Sequence, residues 1–578
     1  MSSSILVLNL TRMGDLIQMS PLILGLREKE PDCKITMLAN VKFAGIVRFM
    51  KGIDELITFD VAQFGSCDGS ETDALAIYNY LDDLTVKLNA RKFDTIINLS
   101  HTKVSAMLTK LIGAGDIRGF SSSPRGSLLV RNPWLIYFTA FLNFRRLSRF
   151  NLVDLDSLGA GVSSGGKVRL NLAPDNESAQ SAQSYFETKG VAPGDLLIGI
   201  QAGASREDRR WSPASFAVVA DRLAQEKGAK IVLFGAAVEK KLGDEVETAM
   251  SEKAINLIGA TDLEQLALWI KRINLLITND TGTMHISAAL GTPIVALFFV
   301  HARAEETGPY CEGAIVLQSD IDCAPCSHQT VCGHLSCLKY ITANDVLTAC
   351  NMALEQAETA PDDDSLFRRV KVYVSGFGED GLIDFRPLKR ERLDKLELFA
   401  YLYRPLFNET FTKWDAPETI AIEGIGDWAI DDLKERFIMP DDEKTEAWIG
   451  RGVEGARRLL ELAQSGERLA LEVIEAGDGQ SSSQLMEIGG QLTAIDYSIS
   501  VLSGVYDVAQ PLAHVYKRRA ENFEGDDPVD LARQALLAHC WLKMSASLFT
   551  NICGRALKAL KNDNKKPDSY EITEGKER

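Results

Sequence analysis

Short β-branched runs alternate with helix-length amphipathic stretches through the first part of the chain. Residues 5–10, 34–38, 55–60 and 93–99 predict strands, with helical segments between them. That alternation is the signature of a parallel sheet with crossover helices. The pattern pauses at the Gly/Ser-rich stretch 158–167 and a polar helical stretch near 176–190, then resumes at 196–201, 230–235, 255–258, 275–278 and 294–298. The expected fold class is therefore α/β, with two Rossmann-like domains, 1–165 and 190–358, joined by a linker.

Beyond about residue 358 the period changes. Pro361-Asp-Asp-Asp364 reads as a linker, and long helical patterns follow near 441–476, 482–523 and 528–560. Turn residues separate them, and Pro528 suits a first helical turn. A mainly α-helical accessory domain is expected over 365–560, with a polar, disordered tail at 561–578. Leu485, Ile488, Leu492, Ile495 and Ile499 recur at helical spacing. They suit a bundle core, or a seam for a homo-oligomer or protein partner.

Composition narrows the function classes. The 578 residues carry a formal charge of −17, which argues against nucleic acid as a partner. Residues 101–150 run against that balance, with Asp116 their single acid among eight basic side chains. Arg118, Arg125, Arg131, Arg145, Arg146 and Arg149 alternate there with Trp134, Tyr137, Phe138, Phe141 and Phe144. Two readings fit: an amphipathic segment, 118–150, in peripheral contact with the inner-membrane surface, or a buried helix with arginines at its ends. Ten cysteines are too few for a disulfide scaffold, the first residues lack a signal-peptide pattern, and the longest nearly apolar run, 288–300, is too short to span a bilayer. A cytoplasmic location is expected.

Chemistry gathers where predicted strands end. Leu10-Thr-Arg-Met-Gly-Asp15 leaves the first strand, so Asp15 projects toward the sheet edge, as a general base or as a helix cap. Thr278-Asn-Asp-Thr-Gly-Thr-Met-His285 leaves a later strand and opens a helix, an arrangement suited to phosphate. Asp280, Thr281, Gly282 and His285 are its candidate binding residues. Gly203 and Ser205 suit a second phosphate-contacting loop, where Arg206, Arg209 or Arg210 can supply a fork-shaped cation. Glu239, after another strand, could accept from ribose hydroxyls. Cys323, Cys326, Cys332 and Cys337 are compact enough to hold structural zinc or iron.

Over residues 1–355 the chain resembles glycosyltransferase family 9, the ADP-heptose heptosyltransferases of lipopolysaccharide core synthesis. The resemblance rests on Arg12-Met-Gly-Asp15 with Pro21-Leu22, Ile97-Asn-Leu-Ser100 with Gly119-Phe120, Gly203-Ala-Ser205 with Arg209-Arg-Trp211, and above all Asn279-Asp-Thr-Gly-Thr-Met-His285 with Ala288-Ala-Leu-Gly-Thr-Pro293. It implies a GT-B enzyme, its two Rossmann-like domains facing a cleft, that works by inversion without a cofactor. ADP-heptose would be the donor and a glycolipid of the lipopolysaccharide core type the acceptor. The family's base falls on Asp15, its diphosphate lysine on Arg209, its phosphate cradle on Asp280, Thr281, Gly282 and His285, and its ribose carboxylate on Glu239. Arginine stands where lysine is usual, and Ala204 where some members carry a hydroxyl. Related readings are a protein O-heptosyltransferase, another nucleotide-sugar transferase, and a non-catalytic nucleotide-sugar scaffold, which would have no use for the base.

Overall fold

The computed structural model describes residues 3–64, 71–162, 170, 172, 183–327, 330–357, 366–477 and 481–563. The 361–364 linker, residues 163–167 of the Gly/Ser stretch and residues 564–578 of the expected tail lie outside them, while 561–563 end a helix. The chain divides into two compact units. One comprises residues 1–135 and 150–389, the other 136–149 and 390–578.

The first unit holds two sheets. β1 (Ser4–Asn9), β2 (Lys34–Asn40), β3 (Glu55–Phe59), β4 (Thr95–Asn98), β5 (Asp116–Ser122) and β6 (Leu128–Arg131) lie in the order 3-2-1-4-5-6. All pairs are parallel except β5–β6. β1 is buried from Ile5 onward, as a strand covered on both faces must be. β7 (Leu197–Gln201), β8 (Lys230–Phe234), β9 (Ala254–Asn256), β10 (Leu275–Asn279), β11 (Ile294–Phe298), β12 (Ile315–Ser319), β13 (Val370–Phe377) and β14 (Ile383–Pro387) form the second sheet, in the order 14-13-12-11-10-7-8-9. β13 and β14 are antiparallel additions at one edge. Strand order reverses beside β1 in one sheet and beside β7 in the other, and ligands of open α/β sheets bind at such reversals.

The second sheet therefore does not stop at residue 358. Val372 pairs with Leu317, and Val372, Tyr373, Ile383 and Phe385 are all buried. The Asp-rich stretch that suggested a domain boundary falls in sequence between β12 and β13, which pair in one sheet.

The helical unit contains helices Lys395–Thr412, Asp427–Arg436, Asp442–Ala476, Ser482–Val505, Gln510–Ala520 and Pro528–Asp563. The single helix expected over 482–523 is interrupted at Tyr506 by a short 3-10 turn, Asp507–Ala509, and Pro511 opens the next helix. Of the expected seam, Ile488 and Ile499 are buried, while Leu485, Leu492 and Ile495 are partly buried against a small core with Leu469 and Val473.

Residues 136–149 of the basic, aromatic segment, with Tyr137, Phe138, Phe141 and Phe144, belong to this helical unit. Tyr137 is fully buried and meets Phe407 and Phe411 edge-on, at ring separations of 5.0 and 5.8 Å. Phe141, Phe144 and Leu147 are buried as well. Arg149 bonds Glu397 at 2.6 Å and stacks 4.0 Å over Tyr401, and Arg146 reaches Asp394 at 3.0 Å. Fully desolvated aromatics and paired arginines are core features, so of the two readings the buried helix is the one observed. Among the described residues no helix is long and apolar enough to cross a membrane.

Candidate active site

Asp15 stands in the first turn of the helix Met13–Gln18, directly after β1. Its Oδ2 accepts the Arg12 N–H at 3.0 Å, so the helix-cap reading is realised. The other carboxylate oxygen has no partner among the described residues, and the side chain is only half-buried. One oxygen fixes the carboxylate and the other is left for chemistry.

After β10 the chain turns into the helix Gly282–Leu290. Thr281 is its N-cap residue, yet its hydroxyl does not cap. It lies 3.2 Å from the Thr278 hydroxyl instead. The first backbone N–H groups of a nine-residue helix therefore remain for an anion. Asp280 is 12% exposed and paired with Arg209, which also donates to the Asp280 carbonyl at 3.1 Å and lies 3.5 Å from the Ser205 hydroxyl. The structure thus brings Ser205, Arg209, Asp280, Thr281 and Gly282 to one turn. Arg209 Nε is buried with no hydrogen-bond partner among the described residues.

His285 is buried, and its Nδ1 likewise has no partner among them. Burial lowers its pKa, opposed by the Asp280 and Asp15 charges, so the imidazole is neutral near pH 7. Both carboxylates act on it because the two sheets meet here. A methyl group placed on Gly14 would lie 3.1 Å from His285 Cδ2, and one on Gly282 would lie 2.8 Å from Met13 Cε. Glycine at both positions lets the helix that carries Asp15 approach the phosphate turn.

Glu239 lies at the far side of the β7 loop. Its Oε2 accepts the Ala236 N–H at 2.8 Å and the Gln201 amide at 3.3 Å. A side chain at Gly203 would fall 1.8 Å from Glu239 Oε1. We therefore expect Gly203→Ala to displace Glu239 and raise the donor KM by about 10- to 100-fold, the equivalent of one charged hydrogen bond, with kcat little changed. Steady-state kinetics at varied donor would show this, and an unchanged donor KM would separate Glu239 from donor binding.

Three organising residues escape the sequence reading. Asn279 donates to Ala202 O at 2.7 Å and accepts the Trp211 N–H at 3.2 Å, tying the Arg209 loop to β10. Gln201 bridges Thr283, at 3.3 Å, and Glu239. Asn279 and Gln201 end their strands at the turn; Asn279 also opens the motif Asn279–His285, whereas only its position could have marked Gln201. The third is Asp156, on the helix Leu152–Gly159, whose carboxyl feels the Asp15 charge and whose surrounding sequence carries no motif.

The cysteine cluster does not form the expected zinc or iron centre. Cys323, Cys326, Cys332 and Cys337 form no disulfide among the described residues. The charges of the other three act on Cys326, so the four are neighbours. Among the described residues, however, no group of three or more His, Cys, Asp or Glu side chains is arranged to hold a metal ion. Cys337 is buried in the second-sheet core, while Cys323 is exposed.

The profile of glycosyltransferase family 9 (heptosyltransferase) matches residues 83–335. The lipopolysaccharide heptosyltransferase 2 of Escherichia coli K12 is 36% identical over 136 residues, 22% of this chain and 38% of that protein. Lipopolysaccharide heptosyltransferase 3 of Escherichia coli is 26% identical over 297 residues, 49% of this chain and 80% of that one. Alignments to the type 2 enzymes span between 30% and 53% of those proteins' length. Among solved structures, a glycosyl transferase family 9 protein from Veillonella parvula is 28% identical with a TM-score of 0.49, covering 61% of this chain and 98% of that one. Residues 83–335 accordingly match the glycosyltransferase family 9 (heptosyltransferase) profile, and the helices after residue 390 lie outside that match.

Proposed function

We propose that the protein is an inverting glycosyltransferase that moves heptose from ADP-heptose to an acceptor of the lipopolysaccharide core type. One observation carries the reading: Asp15, after the central strand of one sheet, and the anion-binding turn Asp280–His285 of the other are held together through Gly14 and His285. A base and a leaving-group cradle are what displacement at an anomeric carbon needs.

In the reaction, Asp15 takes the proton of an acceptor hydroxyl. Its oxygen attacks the anomeric carbon from the face opposite the nucleotide, and the carbon–oxygen bond to the diphosphate breaks. Charge developing on ADP is met by Arg209 and the open N-terminus of Gly282–Leu290, a preorganised electrostatic site that costs no rearrangement. Thr281 and Ser205 offer hydroxyls to the diphosphate oxygens and Glu239 an acceptor to the ribose. Neutral His285 can donate to a phosphate oxygen without a charge-pairing penalty. A cytoplasmic location goes with this donor class. Membrane contact through 118–150 is not part of the reading, because the aromatic side chains it would use are core.

The test is a panel of nucleotide sugars with nucleotide release as the signal, first with a core glycolipid and then with protein acceptors. ADP release from ADP-heptose, stimulated by the glycolipid, is expected. No release from ADP-heptose overturns the donor assignment, and stimulation by protein alone moves the acceptor to the protein class.

A further inference from the structure

A single buried amide joins the two ends of the nucleotide site. Gln201 is the last residue of β7, and β7 lies between β10 and β8 in the second sheet. There Gln201 stands beside Thr278 on one side and Phe234 on the other. The strand through Thr278 runs on into the anion-binding turn, and the strand through Phe234 runs on to Glu239. A side chain long enough to leave the strand edge at this position reaches both. Gln201 does so: its amide oxygen accepts the Thr283 hydroxyl and its amide nitrogen donates to Glu239, each at 3.3 Å.

Chemistry decides which end of the amide faces which partner. A carboxylate only accepts, so the nitrogen must face Glu239 and the oxygen Thr283. Gln201 is 5% exposed, and burying an amide with one end unmet is costly, so the two bonds fix its orientation. Thr283 is buried as well and belongs to the first turn of Gly282–Leu290, which gives the amide a fixed point on the diphosphate turn. At the other end, Glu239 Oε2 takes both the Gln201 amide and the Ala236 N–H, the latter at 2.8 Å. Glu239 Oε1 has no hydrogen-bond partner among the described residues. It lies against Gly203, on the loop that carries Ser205, where a Cβ would fall 1.8 Å from it. One oxygen anchors the carboxylate and the other is left for a ligand hydroxyl.

We propose that Gln201 is a positioning residue of the donor site, one that sets Glu239 Oε1 for the ribose hydroxyls from the anchor that Thr283 provides. The proposal rests on the transferase reading and narrows its donor to a ribonucleotide, because the ribose end and the diphosphate end of the ligand are held in register through one side chain. Gln201 touches no ligand atom in this role; its effect passes through Glu239.

Calorimetry of the full chain with ADP, 2′,3′-dideoxy-ADP and inorganic pyrophosphate tests it. Wild type should prefer ADP to the dideoxy nucleotide by about tenfold or more, the size of a hydrogen bond to a charged group. Gln201→Met keeps the length of the side chain and neither bond, so the preference should fall below about threefold while pyrophosphate affinity stays within about twofold of wild type. Thr283→Val removes only the bond that anchors the amide, and it should lower the preference part of the way. An unchanged preference in Gln201→Met overturns the proposal. So does loss of ADP and pyrophosphate binding together, the mark of a merely structural role. If Gln201→Met does not fold, Thr283→Val decides, and a wild-type preference in that variant overturns the proposal. Wild type that binds ADP without preferring the ribose hydroxyls overturns the proposal and leaves the transferase reading standing. Wild type that binds no ADP overturns the donor assignment and the proposal with it.

Discussion

Replacing Asp15 by Asn should lower turnover by about 10²- to 10⁴-fold and leave the donor KM nearly unchanged, the loss expected of a removed general base. The choice of Asn matters. The Asp15 Oδ2 also accepts the Arg12 N–H at 3.0 Å, and truncation to Ala would remove that cap along with the base. An amide oxygen can still accept the same bond, so Tm should hold while chemistry stops. Donor affinity should hold too, since Arg209, Thr281 and the Gly282–Leu290 N-terminus do not depend on the Asp15 charge. Binding can be measured by calorimetry with ADP and turnover by nucleotide release. Retention of more than about a tenth of wild-type turnover would assign the base elsewhere, given the size of the expected loss.

Much of this site is legible in the sequence, for a physical reason. A parallel strand buried on both faces must be a short apolar run, and the chain leaving it must turn at the sheet's carboxyl edge, so Asp15, Ser205, Glu239 and Asp280–His285 can all be placed from the strand pattern alone. What pattern cannot supply is partner identity. The segment around Tyr137 reads equally as a membrane-surface helix or a core helix, because what decides it is distant: Asp394 and Glu397 lie 248 residues beyond their partners Arg146 and Arg149. The same limit hid β13. Its alternating Val370-Lys-Val-Tyr-Val374 is strand-like, but an acidic stretch before it resembles a linker, and nothing local ties Val372 to Leu317. Asp156 had no motif around it and became visible only through Asp15, more than a hundred residues away in sequence.

Ending the chain at residue 360, where the sequence suggests that the catalytic part is complete, should yield no soluble folded protein. Two losses add. The first is β13 and β14, with Val370, Val372, Tyr373, Leu382, Ile383 and Phe385 all buried in the intact protein. At about 1.5–3 kcal/mol for each large apolar side chain, that burial rivals the total stability of an ordinary domain. Their removal also frees Asp154, which loses the Ile383 N–H, and uncovers Gly308, against which the Phe385 ring is packed. The second loss is the helix Lys395–Thr412, whose Phe407 and Phe411 cover Tyr137 and whose Glu397 pairs with the buried Arg149. Without it the 136–149 segment presents aromatic rings and an unpaired arginine to water, a patch of the kind that drives aggregation. Ending the chain at 389 repairs only the first loss, so that protein should keep its second sheet and still aggregate through the second. Solubility, circular dichroism and ADP binding of the two shortened chains would check this. A soluble chain ending at 360 that melts cooperatively and binds ADP would mean that neither the two edge strands nor the inserted helix is needed for the fold. The chain crosses between the two units at 135, 149 and 389, so a cut at 360 or 389 should disturb folding on both sides of it.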